Sequence, residues 1–207
     1  MTQPRLPLSF GTVVLGGGAV LLGLFLLGGF LLAGTWEVTR HATLSASPAV
    51  VFPHLDAPLA WQEWTTLPDT GLTLDGPHRG TGASMSWDHP EWGSGTFRIE
   101  EAESPNRVRY SVLVEDGAMR TDGTLRLQAE GSGTRVEWTE TGDFGWNPLM
   151  GYWSLFMERA QGRELEKSLE RLAEVVAQTE EAPADSVDGR PDTADAEEPT
   201  PETAPIR

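Results

Sequence analysis

The N-terminal segment of the chain is apolar without interruption. Residues 6–36 contain no ionisable side chain, and residues 13–33 consist of Leu, Val, Ala, Phe and Gly. About 20 such residues cross the hydrocarbon core of a bilayer as one helix, whereas the apolar region of a cleaved signal peptide is shorter, roughly 7–15 residues. The sequence therefore predicts a transmembrane anchor over residues 1–35, with membrane contact over residues 8–34. A cleaved signal is the alternative.

The charges on the two sides of this segment predict its orientation in the membrane. Arg5 and the terminal amine precede it, and Arg40 follows it. The side with more positive charge is usually retained in the cytoplasm. The sequence thus predicts a single-pass membrane protein whose folded domain lies outside the cytoplasm.

The pattern changes to alternation after the apolar segment. Residues 36–46 alternate between two faces and are rich in Val and Thr, which favours a first strand. Ser47 can then cap a short helix that has Pro48 at its first position and extends to about residue 54. A second short helix is predicted over residues 59–64.

A period of two continues through six further predicted strands, separated by Gly, Pro, Asn and Asp. These strands cover residues 72–75, 82–88, 96–102, 107–115, 119–130 and 134–141. One face of each is apolar and the other is rich in Ser, Arg and Glu, so we expect an antiparallel meander with one solvated face. The apolar face collects Met85, Trp87, Phe97, Ile99, Val108, Tyr110, Val112, Val114, Met119, Leu125, Leu127, Val136 and Trp138.

A long helix is predicted after the last strand. Asn147 can cap it, Pro148 can open it, and it extends to about residue 178. We expect one apolar stripe of this helix to cover the sheet, and Gly162 to mark a bend or a close approach. The stripe comprises Leu149, Trp153, Phe156, Ala160, Leu165, Leu169, Leu172 and Val176.

Composition limits the classes of function. The formal net charge is −16, and such a chain repels the phosphate backbone of nucleic acid, which is therefore excluded as a partner. The chain has no Cys, which excludes disulfides, zinc–thiolate sites and thiol nucleophiles.

Residues 179–207 are acidic and rich in Pro, with little aliphatic bulk, so they are predicted to form a disordered tail. The domain is accordingly expected over residues 36–178.

Short local sequences add a family resemblance. They are WQEW at 61–64, GA at 82–83 followed by Trp87, GTRVEW at 133–138, GDFGWNP at 142–148 and GRELE at 162–166. With the order of the predicted elements, they resemble the START-like (SRPBCC) superfamily, in its polyketide cyclase/dehydrase-like families, over about residues 36–176. The resemblance implies an α+β helix-grip fold. In that fold a curved antiparallel sheet of about seven strands, with two short helices after the first, packs against a long C-terminal helix.

The same resemblance implies a cavity between the sheet and the long helix that accepts a lipid or another hydrophobic small molecule. An apolar pocket with a few polar groups is the general form of such a site. The alternative is that the same side chains fill the core. The expected walls are Trp61, Trp64, Met85, Trp87, Phe97, Tyr110, Met119, Trp138, Trp153, Phe156 and Met157.

The sequence contains few candidates for catalysis. His89, with Asp88 and Glu91 beside it, is the best acid–base group, but it falls in a predicted turn. Glu140 and Asp143 precede the long helix, and we interpret them as charges that favour its positive N-terminal end. No catalytic residue, metal site or cofactor is predicted.

Tyr110 is the one inward-facing residue of the predicted sheet that has a hydroxyl group.

Three hypotheses for function remain open. The first is a membrane-anchored binder of a hydrophobic molecule. The second is a cyclase- or dehydratase-like enzyme that uses the same cavity, with His89 or Tyr110 facing it. The third is a non-catalytic protein-interaction module with a filled core.

Overall fold

The computed structural model describes residues 10–32, 34–115, 117, 119–144 and 148–181. An apolar helix comes first, followed by a strand, three short helical segments, six further strands and a long helix. The elements are α1 (Phe10–Leu31), β1 (Thr35–Leu44), α2 (Pro48–Val51), two 3₁₀ helices (Phe52–His54 and Pro58–Glu63), β2 (Leu72–Asp75), β3 (Ser84–His89), β4 (Gly93–Glu103), β5 (Arg107–Val114), β6 (Met119–Glu130), β7 (Gly133–Asp143) and α3 (Pro148–Glu181).

The strands form one seven-stranded antiparallel sheet in the order β1-β7-β6-β5-β4-β3-β2. Strands β2 to β7 are a meander, and β1 pairs with β7, so the first and last strands are neighbours. The register shifts between Ile99 and Glu101 of β4, and an extra residue of this kind bends a strand and increases its twist. The predicted α+β helix-grip architecture is confirmed.

The inner face of the sheet is apolar, as the alternation predicts. Phe97, Ile99, Leu125 and Val136 are among its fully buried residues. Val112 and Val114 are only partly buried. Met119 departs from the prediction, since it is 44% exposed at the first position of β6.

The short helices lie over one end of this face. Pro48 opens α2 as predicted, but Ser47 makes no side-chain capping hydrogen bond, which corrects its expected role. The second predicted helix is a 3₁₀ helix. Trp61 Nε1 donates to the carbonyl of Leu55 at 2.8 Å, and Trp64 Nε1 donates to that of His54 at 3.0 Å. These bonds hold both indole rings within the connection between β1 and β2.

The long helix α3 has two apolar faces rather than the single predicted stripe. Its second half buries Leu165, Leu169, Leu172 and Val176. In its first half, Trp153 is 56% exposed and Phe156 is 65% exposed. The reason lies in the spacing. The step from residue 160 to residue 165 is one residue too long for one face, so the two sets lie roughly 160° apart around the helix.

Gly162 marks the middle of α3. It is buried, and a Cβ atom at this position would collide with the guanidinium group of Arg40. That guanidinium group also pairs with Glu166, with 2.6 Å between Arg40 Nε and Glu166 Oε1. The expected close approach at Gly162 is therefore made by a side chain of β1. The predicted Asn147 cap and the tail beyond residue 181 lie outside the described residues.

The helix α1 is long and apolar enough to cross a membrane over Val14–Leu31, a property that N-terminal signal sequences share. Near its end it contacts the beginning of α3. The rings of Phe25 and Tyr152 stack at a centroid distance of 4.6 Å, and Tyr152 Oη donates to the Phe25 carbonyl at 2.7 Å. A Cβ atom at Gly151 would also collide with the Gly29 carbonyl, so the two helices touch through their backbones.

Candidate functional site

A pocket of about 180 Å³ lies between the inner face of the sheet and α3. The 3₁₀ segment before β2 closes one side. Aromatic and aliphatic side chains form most of the wall, and a few polar groups face it from the sheet and from α3. The lining residues are Trp61, Thr65, Thr66, Leu67, Phe97, Tyr110, Val112, Thr121, Trp138, Glu140, Gln161, Glu164, Leu165 and Ser168.

Four of these residues form a hydrogen-bonded cluster at the polar end of the pocket. Tyr110 Oη donates a short hydrogen bond to Glu140 Oε1. Trp138 Nε1 donates to Tyr110 Oη at 2.8 Å, and Gln161 Nε2 donates to Glu140 Oε2 at 2.6 Å. Both carboxylate oxygens of Glu140 are thus held, one from the sheet and one from α3. We call this group the Glu140 cluster: Tyr110, Trp138, Glu140 and Gln161.

The register of the sheet builds this cluster. Tyr110 of β5 lies opposite Gly123 of β6, and Gly123 lies opposite Glu140 of β7, so the three residues form one row across the strands. A Cβ atom at Gly123 would collide with the ring of Tyr110. Because the middle position has no side chain, the tyrosine ring can cross it and reach the carboxylate. Glycine inside a strand often marks such a close approach.

The environment of Glu140 changes its proton affinity. Its side chain is only 5% exposed, and burial raises the pKa of this carboxyl above the usual value, although the hydrogen bonds from Tyr110 and Gln161 oppose the shift. Burial, and then the neighbouring carboxylate, raise the pKa of the Tyr110 hydroxyl well above its ordinary value. The hydroxyl therefore stays protonated, and Glu140 is the group of this cluster that can exchange a proton.

Packed aromatic rings make the apolar wall. The ring of Trp61 lies 4.7 Å from that of Phe97 and 4.6 Å from that of Tyr110, between centroids. Its distance to Trp138 is 5.9 Å in an edge-on arrangement. Rings at such separations attract one another beyond the effect of simple burial, so this side of the pocket is pre-formed.

The eleven residues expected to line a cavity separate into three groups. Four line the pocket: Trp61, Phe97, Tyr110 and Trp138. Four are buried or half-buried elsewhere in the core: Trp64, Met85, Trp87 and Met157. Trp64 packs behind the wall, 5.4 Å from Trp138 between ring centroids.

The third group lies outside the pocket and corrects the expected position of three side chains. Met119, Trp153 and Phe156 are 44%, 56% and 65% exposed. Met119 is the first residue of its strand. Trp153 and Phe156 lie on the face of α3 that is turned away from the sheet. Their placement follows from the two-faced pattern of α3.

Sequence reasoning missed Glu140 and Gln161. Glu140 was expected to stabilise the N-terminal end of α3, but it is buried in the sheet, which corrects that role. Two signals could have identified it. It has the same strand parity as Val136 and Trp138, which both face inward, and Gly123 interrupts the neighbouring strand. Gln161 carried no comparable signal, because it follows the change of face in α3.

The predicted acid–base candidate lies elsewhere. His89 is at the turn between β3 and β4, where its Nδ1 accepts a hydrogen bond from the backbone N–H of Glu91 at 3.1 Å. It does not line the pocket, whereas Tyr110 does. Within the described ranges, no three His, Cys, Asp or Glu side chains are grouped in a way that could hold a metal ion.

A curved antiparallel sheet that closes on a long C-terminal helix around an apolar pocket defines the helix-grip class. Residues 35–177 match the family described as "Polyketide cyclase / dehydrase and lipid transport", and the chain belongs to this family. None of the curated proteins matches the chain.

Several solved structures share the fold. TTHA0849 from Thermus thermophilus is 20% identical, with a TM-score of 0.53, over 69% of this chain and 98% of that protein. MLL2253 from Mesorhizobium loti is 16% identical, with a TM-score of 0.51, over 69% and 98% of the two chains. CV1439 from Chromobacterium violaceum is 24% identical, with a TM-score of 0.45, over 68% and 96%. The first two likenesses support the fold.

Proposed function

We propose that this chain binds a hydrophobic small molecule in the pocket between the sheet and α3, and that α1 holds it at a membrane. The observation that carries the proposal is the pairing of an aromatic wall with one buried carboxyl group. Trp61, Phe97 and Trp138 offer apolar contact, and the Glu140 cluster offers hydrogen bonds at one end. An apolar pocket with a few fixed polar groups is the usual form of a small-molecule site.

The size of the pocket limits the ligand. Its volume of about 180 Å³ is below the roughly 300–1,000 Å³ of pockets that enclose drug-sized molecules. A compact apolar molecule with one polar group fits this space, and so does one end of a longer lipid whose remainder extends outward. The polar group would meet Glu140 and Gln161. A fully enclosed large lipid is disfavoured.

The proposed tether would place the pocket beside the bilayer. Hydrophobic molecules partition into bilayers, and a helix with the length and composition of α1 would keep the pocket close to molecules dissolved there. Placement of the domain outside the cytoplasm stays a prediction from Arg5 and the terminal amine. The family description, which includes lipid transport, is consistent with this proposal.

Native mass spectrometry of the detergent-extracted full chain tests the binding. We expect the unmodified chain to retain an apolar molecule. The variant Ser168→Leu should lose it, because Ser168 is 2% exposed and lines the pocket. The matched control Glu170→Leu adds the same side chain on an exposed position of the same helix and should retain the molecule. Absence of any retained molecule in the unmodified chain, or equal retention in all three, would contradict the proposal.

The raised pKa of Glu140 favours a second candidate function, an enzyme of the cyclase or dehydratase kind. A titratable group whose pKa is shifted by burial in a cleft is a common feature of acid–base catalysis. Glu140 would move the proton, while Tyr110 and Gln161 would hold its carboxylate in place. The interaction-module hypothesis, by contrast, requires a filled core. The pocket between the sheet and α3 disfavours this hypothesis.

One variant separates the binder from the enzyme. Glu140→Gln retains the shape of the side chain and one acceptor oxygen but cannot transfer a proton. If the protein is a binder, the variant still retains the molecule and the bound molecule leaves chemically unchanged from both proteins. If it is an enzyme, the unmodified chain converts the molecule and the variant does not. Mass spectrometry of the released ligand distinguishes the two.

A further inference from the structure

The first half of α3 presents large apolar side chains to its surroundings. Leu149 is 54% exposed, Met150 37%, Trp153 56% and Phe156 65%. On the opposite side of the same turns, the small residues Gly151 and Ser154 are buried. A helix in a water-soluble domain normally has the reverse arrangement, with large apolar residues facing inward. This exposed face, the apolar face of α3, needs a cover.

The contact with α1 fixes the position of this face relative to the apolar N-terminal helix. A Cβ atom at Gly29 would collide with the backbone of Pro148, and Gly151 lies equally close to the Gly29 carbonyl. The Tyr152 hydroxyl reaches further back, to the carbonyl of Phe25. Gly29 and Phe25 both belong to the apolar stretch Val14–Leu31. The first turn of α3 therefore lies at the level of the last turns of that stretch.

The inference that follows rests on the proposed role of α1 as a membrane tether. We propose that the first turns of α3 are inserted in the interfacial layer of the membrane, so that lipid covers the apolar face of α3. Phe156 is five residues beyond Gly151, at most about 7.5 Å further along the helix. The interfacial layer on each side of a bilayer is about 5–8 Å thick. All four apolar side chains fit within this depth.

Side-chain chemistry agrees with that depth. Trp153 is an amphipathic ring of the kind enriched at membrane–water interfaces. Directly after the apolar face, Arg159, Arg163 and Glu158 line a depression that Phe156 and Arg40 also line. Cationic side chains at this height can meet lipid phosphates. Arg40 pairs with Glu166, which leaves Arg159 and Arg163 against Glu158, a small excess of positive charge on a chain with a net charge of −16. The partner that fits large apolar side chains bordered by these two arginines is a phospholipid surface.

The absence of Cys from the sequence makes a direct test practical. A nitroxide label is attached to the cysteine of the full-length variant Phe156→Cys. The labelled protein is then reconstituted into vesicles of phosphatidylcholine and phosphatidylglycerol. Collisions with oxygen, which concentrates in lipid, and with a water-soluble nickel complex then report the depth of the label. Leu74→Cys, on the distant edge strand β2 and 45% exposed, is the matched water-facing control. Leu21→Cys, in the middle of α1, reports the tether itself.

We expect the label on Phe156→Cys to lose most of its collisions with nickel and to gain collisions with oxygen, relative to the label on Leu74→Cys. Equal access to nickel at both positions, with Leu21→Cys in lipid, would overturn the inference while leaving the tether intact. Protection from both reagents would mean that protein covers the face, either a second copy or residues 182–207, and would also overturn it. If Leu21→Cys is water-accessible, the tether fails and the inference with it, but retention of a ligand is a separate readout.

Discussion

The two halves of α3 have similar numbers of large apolar residues but opposite surroundings. In the second half, Leu165, Leu169 and Leu172 are fully buried against the sheet. In the first half, Trp153 and Phe156 point away from it, while Gly151 touches α1. One continuous helix thus closes the pocket at one end and reaches the apolar N-terminal helix at the other. Under the proposed membrane tether, this single helix would place the pocket next to the bilayer.

Truncation of one leucine in each half should give the largest difference between the two halves of α3. Leu172→Ala should lower the free energy of unfolding by about 2–5 kcal/mol, because it leaves a cavity in a closed core. Leu149→Ala should change it by about 0.5 kcal/mol or less, since its side chain is 54% exposed. Urea unfolding of the full chain in detergent micelles measures both. Similar losses in the two variants would contradict the two-faced description of α3.

A second comparison uses two tyrosines, Tyr110 in the pocket and Tyr152 at the contact between α1 and α3. Tyr110→Phe should cost about 1–3 kcal/mol, because the buried Trp138 N–H and the Glu140 carboxylate each lose a partner. Tyr152→Phe should cost about 1 kcal/mol or less, since it removes one hydrogen bond from a partly exposed side chain and retains the stack on Phe25. Thermal unfolding in micelles gives the order, and a larger loss for Tyr152→Phe would show that the Glu140 cluster is loosely formed.

The third prediction concerns the dependence of stability on pH. Burial raises the pKa of Glu140 above its usual 4.5, so above pH 4.5 the folded chain retains a proton that the unfolded chain releases. Stability therefore falls as pH rises from there to the folded-state pKa, by at most roughly 1.4 kcal/mol per pH unit. Glu140→Gln should remove this fall.

Glu137→Gln is the control for that titration. Glu137 lies on the same strand but on the outer face, where it pairs with Arg126 at 3.1 Å. The variant still contains Glu140, so the fall in stability with rising pH should persist. The measurement is urea unfolding at a series of pH values. Loss of the fall in the control, or its persistence in Glu140→Gln, would show that another group is responsible.

Alternation along the strands predicted the sheet because each strand has one buried and one solvated face. The same rule placed Trp138 and Tyr110 inward, and it would have placed Glu140 inward as well. The charge of Glu140 led to a different interpretation, since a carboxylate near a helix start is commonly stabilising there. Strand parity is the stronger signal in this case, because a shift of one residue would expose Trp138.

The sequence predicted less about α3 and the pocket. Helical spacing identified the apolar residues, but the five-residue step after Ala160 places the two sets on opposite faces, which separates Trp153 and Phe156 from the sheet. The bond from Gln161 to Glu140 joins residues on two elements that only the folded chain brings together. The volume of the pocket depends on how rings such as Trp61 and Phe97 pack, and periodicity carries no information about that.

The most direct test of the central claim is to observe the pocket wall while an apolar molecule with one polar group is added. The indole ¹⁵N–¹H signals of the full chain in micelles are recorded during titration with 1-octanol. We expect the Trp138 signal to shift, since its Nε1 donates to Tyr110 in the Glu140 cluster, and the signal of the exposed Trp92 to stay unchanged. In Ser168→Leu the Trp138 shift should vanish. An unchanged Trp138 signal in the unmodified chain would contradict the claim that this pocket is a binding site.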